Sequence, residues 1–155
     1  MRGFVPGAIL GFVALIVAIQ FIRPARTNPP VIAARTLEAA IAVPSDVQTV
    51  LSRACQDCHS NLTRWPWYSV VAPISWFVVD HVNDGRRDFN FSEWLRPDVK
   101  DPKKYTSEKL HTACREMRLG HMPLYSYVLL HPESRINSQD IETICGWVET
   151  RVSPP

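Results

Sequence analysis

The sequence predicts an all-α chain: a small helical domain with long loops, set behind one apolar N-terminal helix. Three observations predict it. From Ser45 onward, apolar residues recur at helical spacing in four segments. No stretch sustains the two-residue alternation of a half-buried strand. Phe4 to Ile22 is an uncharged, almost wholly apolar run, unlike anything else in the 155 residues.

As a helix, Phe4 to Ile22 would reach about 28 Å at ~1.5 Å per residue, close to the thickness of a bilayer core. A cleaved export signal is the competing reading. Its apolar core is normally about 7–15 residues and ends in a small-x-small site. Here the run is longer, Arg23 and Pro24 follow it, and Ala40-Ile41-Ala42 lies too far downstream to serve as that site. Residues 1–23 are therefore read as a transmembrane anchor. Arg2 flanks one side, and Arg23, Arg26 and Arg35 flank the other. That balance alone weakly places the C-terminal part in the cytoplasm.

Residues 24–44 follow as a linker stiffened by Pro24, Pro29, Pro30 and Pro44, with room for a short helix over Ala33–Ala42. Residues 45–151 form the domain. Ser45 with Gln48 reads as a capping box, and Val47, Val50, Leu51, Ala54 and Cys58 share one face of the helix it starts. A second helix opens at Pro73, buries Ile74, Phe77, Val78, His81 and Val82, and stops at Gly85. A third runs from Ser107 to Leu119 on a stripe of Leu110, Ala113, Cys114 and Met117, ended by Gly120. The fourth begins at Asn137 or Ser138 and buries Ile141, Ile144, Cys145 and Val148, with Trp147 beside them. Residues 60–72, 86–106 and 121–137 read as irregular. Four short helices make a thin core, a deficit that a large planar cofactor would fill.

Net charge is +2. Residues 1–43 hold four arginines and one glutamate, whereas residues 44–155 carry one more acidic than basic side chain. The domain thus has no basic field to attract nucleic acid.

The motif that carries chemistry is Cys55-Gln56-Asp57-Cys58-His59, the C-x-x-C-H pattern of c-type haem attachment. Two thiols at this spacing reach the two vinyl groups on one porphyrin edge. The following imidazole then lies under the iron. A thioredoxin-like redox pair would need a βαβ context, and none is apparent. A zinc site would need a second ligand pair, and Cys114 and Cys145 are isolated from each other in sequence. Because haem attachment occurs outside the cytoplasm, the motif outweighs the arginine balance. It points to a domain on the periplasmic face of a bacterial inner membrane.

Beyond that motif lie Cys55-Gln56-Asp57-Cys58-His59-Ser60-Asn61, then Thr63-Arg64-Trp65-Pro66-Trp67-Tyr68 and Val71-Ala72-Pro73-Ile74-Ser75-Trp76. Asn83-Asp84-Gly85-Arg86, Phe89-Asn90-Phe91-Ser92-Glu93-Trp94, Met122-Pro123, His131-Pro132 and Asn28-Pro29-Pro30-Val31 follow the same pattern. Together they resemble the haem-binding domain family of bacterial cytochrome-c-like proteins, over about residues 28–150. The resemblance implies a monohaem c-type domain holding haem c and its iron, often behind an N-terminal membrane segment.

His59 supplies one axial ligand to iron. For the sixth position Met122 is preferred: it sits in a loop just after the helix-ending Gly120, Pro123 restrains the backbone behind it, and the resemblance places a Met-Pro there. Met117 on the third-helix stripe reads more simply as core filler. His81 lies on an apolar helix face and His121 neighbours Met122, so either is an alternative, as is an open site. Cys114 and Cys145 are expected to form a disulfide in an oxidising compartment; two buried free thiols are the other reading. Trp65, Trp67, Tyr68, Trp76, Trp94, Tyr125 and Tyr127 are expected as core and pocket walls. Arg86 and Arg87 are assigned to the haem propionates on charge alone.

The expected function is electron transfer by a membrane-held monohaem cytochrome serving redox partner proteins, with no substrate-converting residues. A haem-based small-ligand sensor and a peroxidase-like protein with weakly ligated iron are the alternatives.

Overall fold

The computed structural model describes residues 4–152, with side-chain surroundings from residue 7 onward. It is all-α, with no strand among the described residues. Among the described residues the α-helices follow in order: α1 (Phe4–Ile19), α2 (Leu37–Ala40), α3 (Ser45–Ala54), α4 (Gln56–His59), α5 (Ile74–Asp88), α6 (Pro102–Arg118), α7 (Tyr125–Leu130) and α8 (Ser138–Arg151). Helix α8 packs on α3 and α6, and α4 packs on α5. The core is built around Leu37, Val47, Val50, Trp94, Leu110, Met117, Ile144 and Val148.

The expected anchor helix is shorter than its apolar run. Helix α1 ends at Ile19, and among the described residues no helix is long and apolar enough to cross a membrane. Arg2, expected to flank the run, lies outside the described residues. Gln20 ends the helix by engaging the domain. Its Nε2 donates to the carbonyls of Ile16 (3.0 Å) and Ala72 (3.1 Å), and its Oε1 accepts from the Ala72 N–H (3.0 Å). Trp76 Nε1 then donates to the Ile22 carbonyl (2.7 Å).

The stretch expected as a linker lies against the domain. Leu37 is buried in the core, the Leu95 N–H donates to the Arg35 carbonyl (2.9 Å), and Asn28 Nδ2 donates to the Thr63 carbonyl (2.8 Å). Between Ala33 and Ala42 lie a 3-10 turn, Ala33–Arg35, and α2.

The first domain helix differs from its sequence reading at both ends. Pro44, extended at φ −62° and ψ 153°, occupies the N-cap, so Ser45 is the first helical residue and caps nothing. The helix breaks at Cys55 (φ −124°, ψ −35°), which separates α3 from α4. Helix α5 buries Ser75, Val79 and Val82, leaving Ile74 and Phe77 half exposed, so its inward face is rotated from the expected stripe.

Gly85 does not stop α5. It lies inside the helix, where an added Cβ would stand 2.6 Å from the Cys58 carbonyl oxygen and 3.1 Å from the Cys58 carbonyl carbon. Only a residue without Cβ lets α5 pass this close to the Cys55–His59 turn. Gly120, at φ +73°, does end α6 as read from sequence.

Helix α6 starts earlier than expected. Asp101 caps it by accepting from the Lys104 N–H (3.0 Å), and Pro102 follows at the first turn. Helix α8 has a capping box: Asn137 Oδ1 accepts from the Asp140 N–H, and Asp140 Oδ2 from the Asn137 N–H, both at 2.9 Å.

Candidate functional site

The site begins with the short helix α4. Its backbone starts from the break at Cys55, where the His59 N–H donates to the Cys55 carbonyl (2.9 Å). One turn of helix thereby puts Cys55, Cys58 and His59 around one patch of the domain. Asp57, between the cysteines, turns inward and is buried. It accepts from the Arg64 N–H (2.9 Å), from Arg64 Nε and Nη2 (3.2 Å each) and from Tyr127 O–H (2.7 Å). A buried carboxylate satisfied by four donors pins the turn to the loop that follows and to α7.

His59 is buried and ordered by two contacts. Its ring stacks on Phe89 at 4.1 Å between centroids and 15° between planes. Its Nδ1–H donates to the Phe89 carbonyl (3.3 Å). That bond fixes the tautomer and leaves Nε2 with its lone pair, the arrangement a metal-ligating imidazole requires. Burial holds the His59 pKa below the usual histidine range, which keeps the lone pair unprotonated.

The wall behind His59 is an aromatic stack that sequence patterning read as irregular. Phe89 meets Phe91 and Trp94, Phe91 stacks on Trp94, and Trp94 meets Tyr105 edge-on at 5.3 Å. Trp94 is fully buried and its Nε1 donates to Thr106 Oγ1 (2.8 Å). Not all the expected aromatic walls are inside. Trp67 and Tyr125 are each 79% exposed.

Two adjoining cavities flank His59. One, of about 70 Å³, is lined by Cys55, His59, Phe89, Leu110, Met117 and Met122, among others. The other, of about 250 Å³, is lined by Cys58, His59, His81, Gly85, Met122 and Tyr127, among others. Cys55 and Cys58 thus face one cavity each, and His59, Met122 and Pro123 border both. Burial pushes the Cys55 thiol up to about 12 and the Cys58 thiol up to about 11. Such surroundings favour an uncharged sulfur, which a thioether provides permanently.

Among the other sequence candidates, His81 lines the second cavity, with Nδ1 donating to the Phe77 carbonyl (2.8 Å) and Nε2 left over. Met117 is buried in the core and also lines the first cavity. His121 is turned outward, its Nδ1 donating to Glu116 Oε2 (2.8 Å). Cys114 on α6 and Cys145 on α8 face each other with Cα atoms 5.5 Å apart, a disulfide-forming separation. Among the described residues, no three His, Cys, Asp or Glu side chains converge as a metal cage.

Arg86 is not placed for propionates. Its Nε donates to the Ser60 carbonyl (2.8 Å), Nη1 to the Thr27 carbonyl (2.8 Å), and Nη2 to Asn28 Oδ1 (3.0 Å) and Thr63 Oγ1 (2.8 Å). It clamps residues 27–28 and 63 to the end of α4 instead. Arg87 pairs with Asp84 on the surface. Sequence reasoning also missed the chain of contacts from α4 to His131. Tyr127 stacks on His131 at 4.5 Å, and Tyr68 O–H donates to His131 Nε2 (2.7 Å) while Nδ1 faces Glu133 (3.2 Å).

The donor set fits a haem: two adjoining apolar cavities with a thiol in the wall of each, an oriented imidazole between them, and a thioether sulfur bordering both. Among protein-family models, the haem-binding domain family matches residues 14–150. No curated protein and no solved structure is similar enough to match.

Proposed function

We propose, from the premise that the chain belongs to the haem-binding domain family, that it is a monohaem c-type electron carrier held at a membrane. Haem binding itself follows from the family. The attachment, the ligands and the role are our reading, and one observation carries it. His59 presents Nε2 between cavities that Cys55 and Cys58 line, and Met122 borders both.

In this reading Cys55 and Cys58 bind the vinyl edge as thioethers. His59 is the proximal ligand, oriented by the Phe89 carbonyl and ring. Met122 is the sixth ligand, placed by the left-handed Gly120 that ends α6 and by Pro123. The bound haem supplies an iron that cycles between ferric and ferrous states. The chain's residues keep the His59 lone pair available and exclude water with Leu110, Met117 and Phe89. Cys114 and Cys145 form a disulfide that ties α6 to α8.

Helix α1 supports the membrane location. It is apolar throughout, and its described side chains project away from the domain: Leu10, Phe12 and Leu15 are more than half exposed. Its 16 residues reach about 24 Å at ~1.5 Å per residue, short of a ~30 Å hydrocarbon core, a mismatch that bilayers accommodate by thinning. The c-type attachment places the domain on the periplasmic side of a bacterial inner membrane, within reach of redox partner proteins there.

A second reading of the sixth position rests on His81, which faces the same cavity as His59 with its Nε2 uncommitted. Absorption and CO-binding spectra of the purified protein test the assignment. His/Met ligation gives a low-spin ferric spectrum with a weak sulfur-to-iron band and a ferrous form that resists CO. A low-spin spectrum lacking the band supports His81. A high-spin spectrum with rapid CO binding refutes the electron-carrier reading in favour of a sensor or peroxidase-like protein.

A further inference from the structure

Near the root of α1 the domain leaves a group of large apolar side chains exposed. Ile74 is 47% exposed, Phe77 50%, Leu130 57% and Trp67 79%. Ile74, Phe77 and Leu130 border one apolar groove between α5 and α7, and Trp67 packs edge-on against Tyr68, which lines the same groove. These are large side chains left in water by a small domain, and they are clustered rather than scattered.

We infer that this face of the haem domain, bordered by Trp67, Ile74, Phe77 and Leu130, lies on the surface of the lipid bilayer that holds α1. The inference rests on the reading of α1 as membrane-inserted and adds how the domain sits relative to that membrane. Continuity with α1 selects lipid as the occupant. Gln20, at the end of α1, bonds to Ala72, two residues before Ile74, and the Ile22 carbonyl accepts from Trp76, next to Phe77. A bilayer that buries α1 to its last turn therefore meets the start of α5.

Charge sets the limit of contact. Arg23 and Arg26 stand at the same root, where guanidinium groups suit lipid phosphates. Along α5 the exposed positions change from Ile74 and Phe77 to Asp80, Asp84 and Asp88. Asp80 lies about 9 Å beyond Ile74 along the helix at ~1.5 Å per residue. Apolar side chains thus occupy the end near α1, and charged groups occupy the end away from it: Asp80, Asp84 paired with Arg87, and Asp88 paired with Lys109. Trp67 at the rim matches the preference of tryptophan for the membrane–water boundary.

In this arrangement the groove beside Cys58 faces lipid, and the opposite side of the domain faces soluble partners.

The test uses the full-length, haem-loaded chain in vesicles of phosphatidylethanolamine and phosphatidylglycerol. Single spin labels are placed through Val13→Cys, Phe77→Cys, Leu130→Cys and Asp84→Cys. The ratio of collisions with oxygen to collisions with a water-soluble nickel chelate reports depth. We expect Val13 deep, Phe77 and Leu130 several-fold above Asp84 in that ratio, and Asp84 at the aqueous value. If Phe77 and Leu130 match Asp84 while Val13 is deep, the anchor stands and the seated face is overturned. If Val13 itself reports water, the membrane reading fails and this inference falls with it.

Discussion

Replacing Gly85 by Ala tests whether α5 crosses the Cys55–His59 turn as closely as the structure places it. In a helix interior the change from glycine to alanine normally stabilises by about 1 kcal/mol, because glycine loses more backbone freedom on folding. At Gly85 the new methyl would meet the Cys58 carbonyl oxygen at 2.6 Å, its carbon at 3.1 Å and the Cys58 Cβ at 3.2 Å. None of these atoms ends a flexible side chain, so α4 or α5 must shift as a body. Overpacking of this kind costs about 1–3 kcal/mol, occasionally more, and backbone atoms place it at the upper end. The balance is a loss of about 2 kcal/mol. Gly146 in α8 is the internal control, since nothing lies within 4 Å of an added Cβ there. Gly146→Ala should stabilise by about 0.5–1 kcal/mol. Urea denaturation of the haem-loaded variants, followed by circular dichroism, reads both. A Gly85→Ala protein as stable as Gly146→Ala would refute the close crossing, and with it the positioning of Cys58 and His59 by α5.

Other perturbations address separate parts of the site. Met122→Ala should abolish the sulfur-to-iron band and lower the reduction potential, read by ferric spectra and potentiometric titration; an unchanged spectrum removes Met122 as ligand. The double variant Cys114→Ala, Cys145→Ala opens a loop of 31 residues and should lose about 3–4 kcal/mol in urea denaturation. Reducing the wild-type protein should reproduce most of that loss, and a wild type indifferent to reductant would exclude the bridge. Haem-free protein should become less stable as pH falls. Burial lowers the folded-state pKa of His59, so the unfolded chain takes up a proton that the folded imidazole refuses. His59 should therefore add a slope below the ordinary histidine pKa of ~6.5, flattening above it. His59→Phe should lose that slope, and an identical profile in the two proteins would contradict the buried neutral imidazole.

Local chemistry that names its own partners was legible in the sequence. Cys55, Cys58 and His59 form one motif, α8 starts at Ser138 behind Asn137 as read, and Gly120 ends α6 because a left-handed position suits glycine. What the sequence hid depends on distant atoms. Gly85 has the composition of a helix stop, and only the Cys58 carbonyl beside it shows why glycine is required within α5. The apolar stripe of α5 was visible, but its inward rotation is set by which neighbours pack on it, so Ile74 and Phe77 fell on the wrong side. Asp101-Pro102 opens α6 ahead of its apolar stripe, which begins only at Leu110, and six-residue α7 is too short for periodicity to detect. Arg86 was matched to an anion by charge, whereas its donors go to the carbonyls of Ser60 and Thr27 and to the side chains of Asn28 and Thr63.

The central claim is covalent attachment at Cys55 and Cys58, and acidified organic solvent tests it directly. The full chain is made in cells competent for cytochrome c maturation, purified, denatured and extracted. The account predicts that the colour stays with the polypeptide, that its alkaline pyridine spectrum is that of a haem with both vinyl groups saturated, and that Cys55→Ala, Cys58→Ala protein gives neither result. Haem that passes entirely into the solvent and leaves a colourless wild-type chain would contradict it.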